Sequence, residues 1–241
     1  MPRLEEIELY PVDIEEKSSL VPRFEALLAP DEKERAADFC FDRDRVRFIV
    51  MRGMLRLVLS GCLDAAAASL DLEMDEYGKP SVPGGLEFSV SYSGDMGLIA
   101  VAGTPVGVDI EEVGLGKFTA EMVEEVFSQG ERESYLGGDE AEDTAAFFRG
   151  WVRKEAIVKA VGKGLSYPLA QVGSRLEQVS FTTVYEGSEW WTCELGCWRP
   201  EYEAALTAAW TGREPDVTLR SLELGIFEAG AWYGHNPILE A

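Results

Sequence analysis

From Ile7 to Ile14 a short, mostly apolar run broken by Glu8 and Asp13 reads as a strand near the start of the chain. Beyond it the apolar positions take a helical spacing. Pro30-Asp31 opens a helix through Phe39, with the early aspartate suited to the helix dipole. A second helix runs from about Asp44 to Leu59, with Val46, Ile49, Val50, Leu55 and Leu59 among its apolar positions and Gly61 suited to its stop. After Gly78-Lys79-Pro80 and a turn at Pro83-Gly84-Gly85, strands are predicted at 86–91, at 97–102 and from near Pro105 through Glu111.

The second half repeats this mixture. Helices are predicted at 119–127, 129–136 and 141–161, the last ended by Gly162 and Gly164, and strands at 176–184, 190–197, 203–211 and 217–224. No internal sequence repeat and no low-complexity segment is apparent. Each half reads as helices plus antiparallel strands, so the predicted class is α+β, a duplex with its junction near 104–107. The division is 1–105 and 106–241, with a surface tail at 225–241.

Composition narrows the function. The 241 residues are 46% hydrophobic with no apolar run long enough for a membrane span, and Met1 to Glu6 carries acid at once instead of an apolar signal segment. Neither secretion nor membrane insertion is expected. The formal charge of −22 disfavours nucleic acid. Against that background Arg43, Arg45, Arg47, Arg52 and Arg56 crowd one stretch, where Asp42 and Asp44 are the local acids. The cluster is either a solvated helix face or a site for a small polyanion. Cys40, Cys62, Cys193 and Cys197 form no C-x-x-C pair and read as reduced core thiols of a cytoplasmic protein. The single histidine, His235, sits in the tail, so triad chemistry and histidine-ligated metals are not expected. Chemistry here must rest on carboxylates, lysines, arginines or a hard metal.

Three local signals could supply it, each with a plainer alternative. Asp109 and Glu111 stand two apart in a strand and project to one face. Such a pair suits Mg²⁺, which also takes phosphate oxygens, or it is an exposed strand face carrying ordinary acids. Trp151, Glu155 and Lys159 follow each other at four-residue steps and line one helix stripe. That stripe offers a third carboxylate and an ammonium, or merely a Glu–Lys helix pair, and Gly162-Lys163-Gly164 after it could be only a C-cap. Phe88-Ser89-Val90-Ser91-Tyr92-Ser93-Gly94 ends a strand in hydroxyls and glycine, fit for phosphate oxygens or for a turn. Glu131, in Ser128-Gln129-Gly130-Glu131, fits a capping box or a metal ligand.

The order and spacing of these pieces carry a resemblance. Gly78-Lys79-Pro80, Phe88-x-x-Ser91-Tyr92-Ser93-Gly94 and Gly107-Val108-Asp109-Ile110-Glu111 resemble the first half of the 4′-phosphopantetheinyl transferase signature. Trp151-x-x-Lys154-Glu155-Ala156-x-x-Lys159, ending in Gly162-Lys163-Gly164-Leu165, resembles the second half. The likeness is to the larger, monomeric surfactin-synthetase-activating (Sfp) type and runs from about Leu28 to Trp210.

The resemblance implies two similar subdomains related by a pseudo-twofold axis, with coenzyme A in the cleft between them. It implies transfer of the 4′-phosphopantetheine group of coenzyme A to a serine of an apo acyl or peptidyl carrier protein, releasing 3′,5′-ADP. By motif, Asp109, Glu111 and Glu155 would hold Mg²⁺, or Mn²⁺ in its place, and Glu155 would take the serine proton. Lys159 would meet the pyrophosphate, with Ser91 near the phosphates, and Gly78, Lys79 and Pro80 would lie against the adenine. Arg47, with Arg35 and Arg52, would meet the 3′-phosphate. One departure stands out. The family usually has histidine where this chain has Tyr92, and a phenol can donate a hydrogen bond but cannot become a cation. Competing expectations are a catalytically inactive homologue that binds coenzyme A or a carrier protein, and an acidic scaffold with chance motifs.

Overall fold

The computed structural model describes residues 6–114, 118–164, 168–196 and 199–222. Cys197, His235, Leu165 of the second motif and the expected tail at 225–241 lie outside the described residues.

The chain opens with strand β1 (Glu6–Asp13), then a short helix α1 (Ile14–Lys17) whose N-cap Asp13 accepts the Glu16 N–H at 3.0 Å. Helices α2 (Val21–Leu27), α3 (Pro30–Ala37) and α4 (Asp42–Leu63) follow. Ile14, expected to end the strand, instead begins α1, and the sequence predicts no element for 15–27, because segments this short carry less than two helical periods. Helix α4 runs two residues past Gly61 and stops at Asp64 in the left-handed region. Gly61 is therefore not the stop: Cys62 and Leu63 still pack on the apolar cluster beneath.

A two-stranded ribbon, β2 (Glu73–Met74) and β3 (Pro80–Ser81), leads to β4 (Glu87–Ser93), β5 (Met96–Ala102) and β6 (Val106–Glu112). Then come α5 (Ala120–Val126), α6 (Gln129–Tyr135) and the long α7 (Glu140–Val161). Strands β7 (Ser180–Tyr185), β8 (Ser188–Glu194), β9 (Tyr202–Ala209) and β10 (Asp216–Leu219) complete the described chain. Residues 176–179, expected as strand, precede β7 as turn and coil.

The strands form two four-stranded sheets ordered β10-β1-β5-β4 and β6-β9-β8-β7. β10 comes from the far end of the described chain and pairs parallel with β1, Ile7 opposite Val217. Alternation along the strands sets the layers. Tyr10, Val12, Ile99 and Val101 face α4, whereas Leu9, Leu98 and Ala100 face Val108, Ile110 and Leu206 of the second sheet. The other face of that sheet is covered by α7 through Phe147, Ile157 and Val158 with Phe181 and Trp190. The order is helix, sheet, sheet, helix, an α+β arrangement.

Gly107 sets how closely α7 approaches. A Cβ there would collide with the Ala156 carbonyl and the Ala160 N–H, both backbone, so only glycine lets the helix lie against β6. That contact brings the Glu155–Lys159 stripe over the side chains of Asp109 and Glu111.

Candidate active site

β6 presents Val108 and Ile110 to the inter-sheet core and Asp109 and Glu111 to the opposite side, toward α7. There they meet Trp151, Glu155 and Lys159 from α7 and Val90, Ser91 and Tyr92 from β4 around an open cleft of about 280 Å³. Both halves of the chain supply its walls. Glu155 and Asp109 are each 2% exposed, so the plainer expectation of an open strand face bearing ordinary acids does not hold for Asp109.

Lys159 Nζ donates to Asp109 Oδ1 at 2.6 Å and to Ser91 Oγ at 3.0 Å. Ser91 Oγ donates in turn to Asp109 Oδ1 at 2.7 Å, and Ser93 Oγ donates to Glu111 Oε2 at 2.7 Å. Among the described residues, no donor reaches Asp109 Oδ2 or Glu155 Oε1, although both atoms are buried. Burial first, then the charges of Asp109 and Glu111, push the Glu155 carboxyl up to about 7 against the pull of Lys159.

Two buried carboxylate oxygens without a partner, beside a third carboxylate, form a hard-oxygen donor set that fits Mg²⁺. As placed, no three His, Cys, Asp or Glu side chains among the described residues converge tightly enough to hold one ion. Here Lys159 takes the position beside Asp109 and supplies the neighbouring positive charge.

The remaining predicted residues fall into two groups. Lys79 and Pro80 line a second hollow of about 320 Å³ with Glu87, Phe88, Ala160 and Gly162. Asp75 Oδ1 holds the approach to it by accepting the N–H groups of Tyr77 and Lys79, while Gly78 turns at φ +82. Lys79 Nζ reaches the Ala160 carbonyl at 3.4 Å and Glu87 at 3.7 Å, and burial pulls its pKa down.

The second group surrounds Tyr92 at the cleft rim. Burial raises its phenol pKa, while Arg35, Arg52 and Arg47 lie close enough to pull it back. Arg47 is paired with Asp95 at 3.2 Å and Asp44 at 3.5 Å, Arg52 with Glu32 at 3.5 Å, and Arg35 sits over the Phe48 ring. The rest of the arginine cluster points elsewhere. Arg45 pairs with Glu25, and Arg56 is buried on Glu32 and the carbonyls of Ala67 and Leu70. Two of the five, Arg45 and Arg56, are thus framework.

Glu131 is resolved between its two readings. It caps α6 by accepting the Ser128 N–H, accepts from Ser174, and receives Lys154 Nζ at 2.7 Å. Lys154, fully buried, faces away from the cleft although it adjoins Glu155. Cys40, Cys62 and Cys193 are free thiols, but Cys40 is exposed, not a core residue. The hydroxyls from Ser89 to Ser93, expected to hold phosphate oxygens or to mark a turn, meet protein groups instead: Ser89 accepts the Val108 N–H, and Ser93 accepts the Glu112 N–H and donates to Glu111.

Comparison with known proteins agrees with this geometry. Residues 105–210 match the family model of the 4′-phosphopantetheinyl transferase superfamily, and residues 17–104 match that of the 4′-phosphopantetheinyl transferase N-terminal region. The 4′-phosphopantetheinyl transferase Sfp of Bacillus subtilis (strain 168) is 29% identical over 205 residues, covering 83% of this chain and 91% of the relative. The 4′-phosphopantetheinyl transferase HetI of Nostoc sp. (strain PCC 7120) is 30% identical over 168 residues, 67% of this chain and 71% of the relative. A phosphopantetheinyl transferase of Thraustochytrium sp. is 32% identical over 178 residues, 66% of this chain and 60% of the relative. The chain belongs to the 4′-phosphopantetheinyl transferase superfamily and is of the Sfp type.

Proposed function

We propose that this chain moves 4′-phosphopantetheine from coenzyme A to a serine of an apo acyl or peptidyl carrier protein, with Mg²⁺ held by Asp109, Glu111 and Glu155. The observation that carries the reading is the meeting of these three carboxylates with Lys159 around one cleft, where two buried carboxylate oxygens have no donor among the described residues.

In the transfer, the serine Oγ–phosphorus bond forms at the β-phosphate as its bond to the bridging oxygen breaks, and 3′,5′-ADP leaves. Glu155, the carboxylate that α7 turns into the cleft beside Lys159, is the group to take the serine proton. Mg²⁺, or Mn²⁺, held by Asp109, Glu111 and Glu155 would supply positive charge to the pyrophosphate. Lys159, 29% exposed, is free to swing its ammonium from Asp109 onto the same oxygens. Arg35, Arg47 and Arg52 around Tyr92 form a cationic rim suited to the 3′-phosphate. The Gly78-Lys79-Pro80 loop and its hollow suit the adenine.

Since one chain furnishes both walls of the cleft, a monomer suffices. The division into 1–105 and 106–241 puts the cleft between two units, with β10 reaching back from the second to the first. Free thiols and a dependence on coenzyme A and carrier proteins accord with work in the cytoplasm. Among the described residues, no helix is long and apolar enough to cross a membrane.

The test is intact-mass spectrometry of several apo carrier proteins incubated with the protein, coenzyme A and Mg²⁺. A gain of one phosphopantetheine on any carrier, abolished by EDTA, is the expected result. No gain on any carrier tested, with coenzyme A still bound, would favour a binding protein instead.

A further inference from the structure

β6 pairs with β9 along one edge only, and its other edge turns to β4 of the other sheet. Main-chain pairing does not continue there. Serine side chains replace it: Ser89 Oγ accepts the Val108 N–H at 3.1 Å, and Ser93 Oγ accepts the Glu112 N–H at 3.1 Å. Ser89, Ser91 and Ser93 share this face because they are two residues apart in one strand. The three hydroxyls therefore stitch the two sheets together.

Ser93 does something more. A serine hydroxyl has one proton to donate and lone pairs to accept. With the Glu112 N–H bound to its oxygen, the hydroxyl is oriented, and its proton goes to Glu111 Oε2 at 2.7 Å. That is the short spacing of a hydroxyl–carboxylate bond. Backbone geometry thus dictates the direction of a bond that fixes a carboxylate rotamer. Ser91 holds Asp109 in a comparable way but also lines the cleft and meets Lys159, so its roles cannot be separated by substitution. Ser93 is not among the cleft-lining residues.

We infer that Ser93 is a positioning residue for the metal, presetting Glu111 through a hydroxyl anchored on the Glu112 N–H. The inference rests on the metal reading proposed above. Loss of a partner that orients a metal ligand costs about 10- to 100-fold in metal affinity.

The test titrates Mg²⁺ alone against the protein without coenzyme A and reads the rise in melting temperature. Ser93→Ala should raise the Mg²⁺ concentration at half-effect by about tenfold or more. The KM for coenzyme A at saturating Mg²⁺ should stay within about twofold of wild type, because Ser93 does not line the cleft. Ser89→Ala removes a comparable stitch without touching a carboxylate, so it should lower stability in EDTA and leave the Mg²⁺ midpoint unmoved. Ser93→Thr keeps the hydroxyl and should restore the midpoint, whereas the isosteric Ser93→Val should not; this pair decides the matter if the alanine variant does not fold. A wild-type midpoint in Ser93→Ala or Ser93→Val, or an equal displacement in Ser89→Ala, overturns the inference. If the wild type itself transfers phosphopantetheine yet shows no Mg²⁺ response, the metal reading fails and takes this inference with it.

Discussion

Lys159 Nζ lies 2.6 Å from Asp109 Oδ1, joining the last turn of a helix to a strand fifty positions earlier in the chain. The ammonium provides the nearest positive charge to a buried carboxylate, yet at 29% exposure it keeps a path to solvent. Removing Asp109 therefore does not strand a buried cation. Asp109→Ala should abolish transfer and, because the lost carboxylate is buried and accepts from Ser91 as well as Lys159, lower stability by about 1–3 kcal/mol. Wild-type transfer should stop in EDTA and return with Mg²⁺. Near-normal turnover by Asp109→Ala would remove Asp109 from the metal set.

Glu155→Gln keeps the shape but loses charge and basicity. Turnover should fall by about 10²- to 10⁴-fold, with coenzyme A affinity changed far less. Stability should move the other way. The folded-state carboxyl titrates at about 7, above its ordinary 4.5, so the native state binds the proton more tightly than the unfolded chain. Ionisation then destabilises the metal-free fold, by nothing below the unfolded pKa and by its full amount above the folded one. In EDTA, Glu155→Gln should match wild type near pH 4.5 and exceed it at pH 8, by a few kcal/mol at most. Melting curves across that range check it; a variant less stable than wild type at pH 8 contradicts it.

Gly107→Ala places a methyl against the backbone of Ala156 and Ala160, and neither can move without moving α7. Overpacking of this kind costs roughly 1–3 kcal/mol. Because the same displacement carries Glu155 and Lys159 away from Asp109, turnover should drop more than stability alone explains. Kinetics well below the melting temperature separate the two effects.

Glu131 and Lys154 form a buried pair whose lysine is fully enclosed. Glu131→Gln leaves that ammonium without a counter-charge, at a cost of about 3–5 kcal/mol. Glu131→Gln combined with Lys154→Met should be less destabilised than Glu131→Gln alone. Burial pushes the Glu131 carboxyl up, but Lys154 and the N–H groups of Ser128 and Ser174 outweigh it and leave the pKa below normal. A depressed carboxyl stabilises fully above its unfolded pKa and loses that contribution as pH falls through the folded value. The stability gap between wild type and Glu131→Gln should hold steady from pH 8 to 5 and narrow only below about 4.5. Chemical denaturation at each pH measures it.

Tyr92 stands at the rim among Arg35, Arg47 and Arg52. If its hydroxyl donates to a coenzyme A phosphate, Tyr92→Phe should weaken binding about ten- to a hundredfold, the equivalent of roughly 1.5–3 kcal/mol. Tyr92→His should recover affinity below about pH 6.5, where imidazole gains charge. Calorimetric titration reads both. Silence in both variants would leave Tyr92 a packing residue beside the arginines.

The sequence by itself determined the pieces that lie within one element. A two-residue period puts Asp109 and Glu111 on one face of a strand, and a four-residue step lines up Trp151, Glu155 and Lys159, because backbone geometry alone dictates both. The order of the motifs was enough to indicate the family. What lies between elements was not legible. Burial of Asp109, the Lys159 contact, the turning of Lys154 toward Glu131 and the return of β10 to β1 join residues 23 to more than 200 positions apart. No local period encodes such pairings; close packing of α7 on Gly107 and of one sheet on the other decides them. Ser93 shows the boundary most sharply. Its alternation with Ser89 and Ser91 is plain in the sequence, but only the free edge of β6 turns three ordinary hydroxyls into a seam that holds two carboxylates in place.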